Sequence, residues 1–290
     1  MTFTTRFAPS PTGPLHLGHA YSAVLAHDMA RRNNGTFLLR IENIDQGRSR
    51  PDWEAQIYED LAWLGVSWPL PVMRQSERGA NYQSALMKLW HMGLLYPCSC
   101  GRRDIINALQ APQEGEEPVQ GPDGPVYPGT CRNRPRDLSA PPPTGHALRL
   151  DMRRAVQNLT FEFFETGAGL NGETGRISFE GAQAIDEIGD VVLARRDIGT
   201  SYHLSVVLDD AAQDVTHVVR GADLFEATKI HVILQHLLSL PTPEYHHHKL
   251  IRDDAGKRLA KRDNARAIRA FHDQGMSAED LKKLIGLSTE

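Results

Sequence analysis

The 290 residues are 40% hydrophobic and 23% charged, an ordinary globular composition sufficient for one large domain or two smaller ones. A formal net charge of −4 confines any nucleic-acid contact to a local patch, and no run approaches the roughly 18 consecutive apolar residues of a membrane span. The start, "MTFTTRFAPS", lacks the basic-then-apolar pattern of a signal peptide, so a cytoplasmic protein is expected, and its three cysteines suit a metal or plain core better than a disulfide framework.

Residues 3–9 read as a strand stopped by proline. Residues 15–32 read as a helix, with Leu17, Tyr21, Val24 and Leu25 at helical spacing. A second strand over 36–45 is flanked by Gly35 and Gly47. Strand, helix, strand in so short a span predicts a βαβ unit, hence an α/β protein with a parallel sheet and helices on its faces. Helical patterns follow at about 51–65 and 78–93. The stretch 111–147 is dense in Pro and Gly and reads as an insertion or loop region. Short strands are expected over 147–152 and 159–165. Strands over 190–197, 201–210 and 215–221 are then expected to return to the main sheet. Residues 222–240 read as a helix ended by Pro241, and Ser277 with Asp280 three residues on predicts a last capped helix. There are no internal repeats.

The stretch "RFAPSPTGPLHLGHA" (6–20) carries the first chemistry. Pro9, Pro11 and Pro14 stiffen a turn that feeds His16 and His19 into the first turns of a helix. Such a junction offers backbone N–H groups and a positive dipole end, a natural phosphate seat. The two histidines share one face, and Gly18 between them leaves room for a flat ring such as adenine. An isolated H-x-x-H is also compatible with ordinary surface or core histidines, and zinc would need further ligands. At strand ends, Arg6 and Arg220 suit carboxylates through the planar guanidinium fork. Glu42 could accept from an ammonium, and Tyr202 could donate or accept through its hydroxyl. Either arginine could equally be an ordinary surface ion pair. Cys98, Cys100 and Cys131 lie within 34 residues, a spacing that suits zinc but also three reduced thiols. The region 249–269 holds eight Lys/Arg against three Asp, a basic patch that fits RNA backbone or a solvated turn.

Read together, "FAPSPTGPLHLGHA" resembles the signature of class I aminoacyl-tRNA synthetases in the glutamate-specific branch. Residues 16–19 match the H-[IL]-G-H motif, and "SPTG" is the glutamyl form where the glutamine branch carries "EPNG". The resemblance implies ATP binding by His16, Gly18, His19 and Lys261, with catalysis by His16, His19 and Lys261 and with Mg2+ on the phosphates. "GKRLAKRD" (256–263) is similar to the K-M-S-K-S loop, with Lys261 at the second lysine, Arg258 at the first and Ala260 at the serine. The resemblance further implies glutamate contacts at Arg6, Phe7, Ala8, Pro9, Ser10, Glu42, Tyr202 and Arg220. "RIENID" departs from the usual R-I-E-D-[IL]-D at Asn43. "YPGTCR" resembles a C-x-C…Y-x-x-x-C site, which implies Tyr127 as the fourth ligand of one structural Zn2+ held with Cys98, Cys100 and Cys131.

The implied fold is a Rossmann-type catalytic domain in two halves, 1–95 and 186–245. An inserted subdomain with the zinc site (96–185) is expected to interrupt it, and the lysine loop with a short helical segment (246–290) to follow it. The chain ends 29 residues after Lys261, so no anticodon-binding domain is expected. This form is similar to the truncated glutamyl-Q tRNA(Asp) synthetases, over essentially the entire chain. They imply a monomer that activates L-glutamate with ATP without tRNA and transfers it to queuosine in the anticodon loop of tRNA(Asp). Competing readings are a glutamyl-tRNA synthetase that charges the 3′ end, a small nucleotidyltransferase of the H-x-G-H superfamily, and an inactive synthetase-like RNA-binding module.

Overall fold

The four residues of β1 (Thr4–Phe7) are all buried and run parallel to β2 (Thr36–Ile41), with Thr4 opposite Thr36 and Phe7 opposite Leu39. A strand buried on both faces needs cover on both sides. Part of that cover is α1 (Leu17–Arg32), the crossover between them. In this computed structural model, which describes residues 2–110, 118–251 and 267–287, β3 (Met73–Arg74) extends the parallel sheet beyond β2. It follows α2 (Pro51–Trp63), which opens with Pro51 at its first position and carries Asp52 and Glu54 in its first turn.

On its other side β1 lies beside β11 (His217–Gly221): the Thr216 N–H donates to the Thr4 carbonyl at 3.0 Å, and the Thr4 N–H to Thr216 Oγ1 at 2.8 Å. Beyond β11 come β12 (Glu244–His248) and β8 (Thr160–Glu165), both parallel, and then the antiparallel β9 (Gly175–Glu180). The order across this surface is therefore β3-β2-β1-β11-β12-β8-β9. A smaller antiparallel sheet joins β4 (Leu95–Cys98), β7 (Ala147–Leu150) and β10 (Val192–Ala194), and β5 (Gln120–Gly121) pairs β6 (Gly124–Pro125) as a hairpin.

Three apolar clusters hold these layers. One packs α1, α2, β1 and β2 against Ile268 and Phe271 of α9 (Ile268–Asp273) and Leu281 of α10 (Ala278–Leu284). The largest joins α3 (Gly79–His91), α7 (Tyr202–Ala212) and α8 (Ala227–Leu238) to β4, β7, β8 and β12, with Met152 and Ala155 of α5 (Met152–Ala155) and Ala184 of α6 (Gly181–Glu187). The third contains Tyr96, Cys98, Tyr127 and Cys131, with Ile105 of α4 (Arg102–Gln110) against it.

Two expectations are corrected. Residues 201–210, read as a strand, form α7, capped by Ser201, whose hydroxyl accepts from the Leu204 N–H at 3.4 Å. Seven of its eleven residues are buried, so the helix shows no apolar stripe, and the run "LSVVL" mimics a buried strand. The strand within 190–197 is β10, and it pairs antiparallel with β7 rather than joining the parallel sheet. The expected helix over 222–240 begins as a 3-10 turn (Ala222–Leu224) and becomes α-helical at Ala227. The last helix is capped as read, by Ser277 accepting from the Asp280 N–H. Among the described residues no helix is long and apolar enough to cross a membrane.

Candidate active site

A cavity of about 240 Å³ opens where β1, β2 and β11 end and α1 and α7 begin. Ligands in open α/β sheets bind in this position, outside the carboxyl ends of the strands. Arg6, Phe7, Ala8, His16, Gly18, His19, Glu42, Tyr202 and Arg220 all line it, gathered from four distant parts of the chain. Pro9 and Ser10 do not. Pro9 is buried and its carbonyl accepts the Glu42 N–H at 3.0 Å, so it fastens the turn to the end of β2, and Ser10 is exposed. Lys261, with Arg258 and Ala260, lies outside the described residues. The described chain leaves the cavity at Ile251, which lines it, and returns at Ala267, which bridges to His16.

The histidine pair forms a mutual cap. His16 is the N-cap of α1, and its Nδ1 accepts the Gly18 N–H at 3.1 Å; His19 Nδ1 accepts the His16 N–H at 3.2 Å. The rings lie 3.8 Å apart. With both Nδ1 atoms accepting, a neutral ring carries its proton on Nε2, which makes each Nε2 a donor. Two first-turn N–H groups are thus occupied by the imidazoles, so the anion-binding groups here are ring N–H groups more than backbone ones. A Cβ on Gly18 would stand 3.1 Å from His16 Cε1, so glycine keeps room for the folded-back ring. Ser22, one turn further along α1, touches His248 Nε2 at 2.7 Å, and both line the cavity beside Val219, Leu250 and Ile251.

At the other end, the Arg6 guanidinium is forked onto Asp210, Nε at 3.0 Å and Nη2 at 3.2 Å from its two oxygens. Arg40, fully buried, donates from Nη1 to Asp210 at 2.7 Å and from Nη2 to Glu42 at 3.1 Å. Burial acts to raise the Asp210 carboxyl, but Arg6 and Arg40 outweigh it and hold it below the usual range. Burial also pushes Glu42 up, against the pull of the same two arginines. Burial raises the Tyr202 phenol as well. Glu42 is therefore a buried acceptor that a cationic ligand group would favour in its ionised form.

Arg220 differs from Arg6. Its Nε donates to His247 Nε2 at 3.1 Å, its Nη2 to Thr228 Oγ1 at 2.7 Å, and its Nη1 lies 3.0 Å from His231 Nδ1. All three acceptors are neutral, and among the described residues no carboxylate pairs directly with it. Three of its five N–H groups are thereby used; the remaining two, one on each Nη, form the edge that fits a carboxylate side by side. Behind it, His247 Nδ1 meets the buried Glu165 at 2.5 Å. Arg40, Asp210, His231 and His247 were missed from the sequence. A charged residue inside the apolar run "TFLLRI" was the available signal for Arg40.

Away from the cavity, Cys98, Cys100 and Cys131 place their sulfurs within 4.8 Å of one another, Cys100 and Cys131 at 3.5 Å. The Tyr127 oxygen lies 3.4 Å from both Cys98 and Cys100 sulfurs. Zinc bonds of about 2.3 Å to sulfur and 2.0 Å to oxygen give tetrahedral edges of about 3.5–3.8 Å, so these four donors fit one ion after a small closure. Tyr127 is buried, and the Arg149 guanidinium covers its ring at 3.9 Å from the centroid.

The fold and this cavity are those of a class I synthetase catalytic domain: residues 2–288 match the family described as tRNA synthetases class I (E and Q), catalytic domain. The chain is similar in fold to a glutamate tRNA ligase from Elizabethkingia meningosepticum crystallised with its amino acid. The TM-score is 0.75 at 24% identity, over 99% of this chain and 61% of that one. It is 61% identical over 285 residues to the glutamyl-Q tRNA(Asp) synthetase of Rhodobacter capsulatus, covering 98% of this chain and 99% of the relative. It is 38% identical to the protein of that name from Geobacter sulfurreducens, over 92% of this chain and 78% of the relative. The chain belongs to the glutamyl-Q tRNA(Asp) synthetase family.

Proposed function

We propose that the protein activates L-glutamate with ATP and transfers the glutamyl group to queuosine in the anticodon loop of tRNA(Asp), forming glutamyl-queuosine. The observation that carries this reading is near-full-length identity of 61% to a glutamyl-Q tRNA(Asp) synthetase, in a chain whose cavity holds both an ATP-type histidine pair and a glutamate-type arginine pair. Glutamate lies between Arg220 and Arg6, with its ammonium toward Glu42 and the Tyr202 hydroxyl at its side. The nucleotide lies toward Val219, Leu250 and Ile251, with Gly18 against the base and His16 and His19 on the phosphates.

In the first step an oxygen of the glutamate α-carboxylate attacks the α-phosphorus of ATP in line, and pyrophosphate leaves. His16 and His19 donate from Nε2 to oxygens that gain charge, and Lys261 is assigned the same task. Most of the acceleration is positioning and electrostatics. Mg2+ carried with the nucleotide would supply further charge neutralisation. In the second step a hydroxyl of the queuosine cyclopentene ring attacks the anhydride carbonyl and AMP leaves. Cys98, Cys100, Tyr127 and Cys131 would hold a structural zinc, which closes the third apolar cluster without entering the reaction. We assign the inserted region and the basic 249–269 stretch to the RNA, and the protein to the cytoplasm as a monomer.

The test is ATP–pyrophosphate exchange with glutamate and no tRNA, followed by alkali-labile transfer of labelled glutamate to tRNA(Asp) that carries queuosine. Exchange without tRNA and transfer only to the modified tRNA are expected. Attachment to the 3′ end, lost when the 3′-terminal adenosine is removed from the tRNA, would instead establish a glutamyl-tRNA synthetase. Absence of exchange with or without tRNA would leave an RNA-binding module.

A further inference from the structure

Among the described residues no carboxylate pairs directly with the buried Arg220, yet it is the start of a chain of imidazoles that ends on one. Arginine only donates, so His231 Nδ1, 3.0 Å from Arg220 Nη1, must accept. His231 is therefore neutral with its proton on Nε2. Burial, reinforced by the nearby arginine charge, holds it well below the usual imidazole range. That Nε2–H faces His203 Nδ1 at 3.1 Å, which in turn must accept. The His203 proton is then on Nε2, and this atom lies 2.8 and 3.0 Å from the two oxygens of Asp123. The chain thus runs from β11 through α8 and α7 to the turn between β5 and β6. Every link has only one proton arrangement that leaves no two donors facing.

We infer that His231 and His203 are positioning residues that aim the Arg220 edge at the substrate carboxylate, and that Asp123, on the hairpin of the inserted region, fixes their tautomers. This rests on the reading of Arg220 as the carboxylate-binding arginine. The opposite tautomers would place a His231 Nδ1–H against Arg220 and swing the guanidinium away. Asp123 disfavours that arrangement by accepting only a proton on His203 Nε2. The hairpin is thereby coupled to glutamate binding although it does not line the cavity. The groups that face the two imidazoles are Arg220 and Asp123 at the ends and the Tyr202 ring at 5.4 Å from His203 and 5.7 Å from His231. Arg6 and His247 lie near enough to act on the charge of His231.

The experiment is steady-state exchange with Asp123→Ala, Asp123→Asn, His231→Gln and Arg220→Gln, reading KM for glutamate and KM for ATP separately. Asp123 is half-exposed on a turn, so its variants are expected to fold, which thermal unfolding checks. Asp123→Ala is expected to raise KM for glutamate about tenfold, the effect of one lost hydrogen bond at about 1.4 kcal/mol, with KM for ATP within about twofold. His231→Gln keeps an acceptor oxygen toward Arg220 and is expected to keep most of the affinity, whereas Asp123→Asn, whose amide donates as well as accepts, no longer selects one tautomer and is expected to recover only part of it. Unchanged glutamate KM in Asp123→Ala, or equal losses for glutamate and ATP, would overturn the positioning role. Unchanged glutamate KM in Arg220→Gln would instead overturn the assignment of Arg220 itself.

Discussion

Replacing Asp210 by Asn removes one negative charge that three hydrogen bonds from two arginines share, at 3.0 and 3.2 Å from Arg6 and 2.7 Å from Arg40. The side chains are 6% exposed for Arg6, 8% for Asp210 and 0% for Arg40, so water cannot take over the lost contacts. An amide keeps one acceptor but turns an NH2 group toward guanidinium N–H groups. Breaking a buried pair in this way costs about 3–5 kcal/mol, a third or more of the stability of a typical domain. The pH dependence has a definite sign. The folded Asp210 carboxyl titrates below its ordinary 3.8, so its stabilisation is present above that value and is lost as pH falls through the folded one. Urea unfolding followed by circular dichroism should show the full wild-type advantage at pH 7 and a shrinking one below about pH 4. An advantage under about 1 kcal/mol at pH 7, or one that persists unchanged in acid, would refute the buried-pair account.

Three further outcomes follow from other parts of the molecule. Burial lifts the Asp60 carboxyl to about 6 against the opposing charge of Arg269, and its Oδ2 has no partner among the described residues. The penalty of ionising it builds as pH rises from about 4 through about 6, so Asp60→Asn should stabilise the protein at pH 7–8 by up to about 3 kcal/mol and have little effect near pH 4, by urea unfolding. Gly35→Ala would set a Cβ 2.1 Å from the Phe3 carbonyl where α1 turns into β2, and should lower the unfolding free energy by about 1–3 kcal/mol. Metal analysis of the native protein should find about one zinc per chain, lost in Cys131→Ala. That variant should melt earlier yet retain glutamate-dependent exchange, because none of the cluster lines the cavity.

The β1-α1-β2 unit was legible because each element announces itself locally: a short apolar strand, a helix stripe of Leu17, Tyr21 and Val24, and a glycine that only a close approach explains. The short strands β3, β5 and β6 were not, since two residues carry no period, and β10 was read as a strand but not as an antiparallel partner of β7. Helix α7 was hidden by its own burial. His203, Asp209 and Asp210 sit on it among valines, and each is satisfied by a partner far away in sequence: Asp209 by Gln75, Arg78 and Tyr82, and Asp210 by Arg6 and Arg40. Strand ends pointed to Arg6, Glu42 and Arg220 as candidates. What holds each of them is a long-range pairing, and spacing along one chain does not express it.

Those pairings divide the labour of the pocket. Arg6 and Arg40 meet Asp210 and Glu42, two cations and two carboxylates that nearly cancel and fix one another's geometry. Arg220 is kept charged by neutral acceptors instead, with its counter-charges, Glu165 and Asp123, one and two imidazoles away. Among the described residues no carboxylate pairs with it at the cavity edge, so an anionic group placed there completes the pair at little cost in reorganisation. A neutral amide in the same place would bring an NH2 group to a donor-only edge and leave the buried cation uncompensated, so the same arrangement favours glutamate over glutamine in the proposed reaction. Had Arg220 been paired with a carboxylate as Arg6 is, binding would require that pair to break first. Imidazoles give orientation without neutralisation, which is the physical reason for histidines rather than acids behind this one arginine.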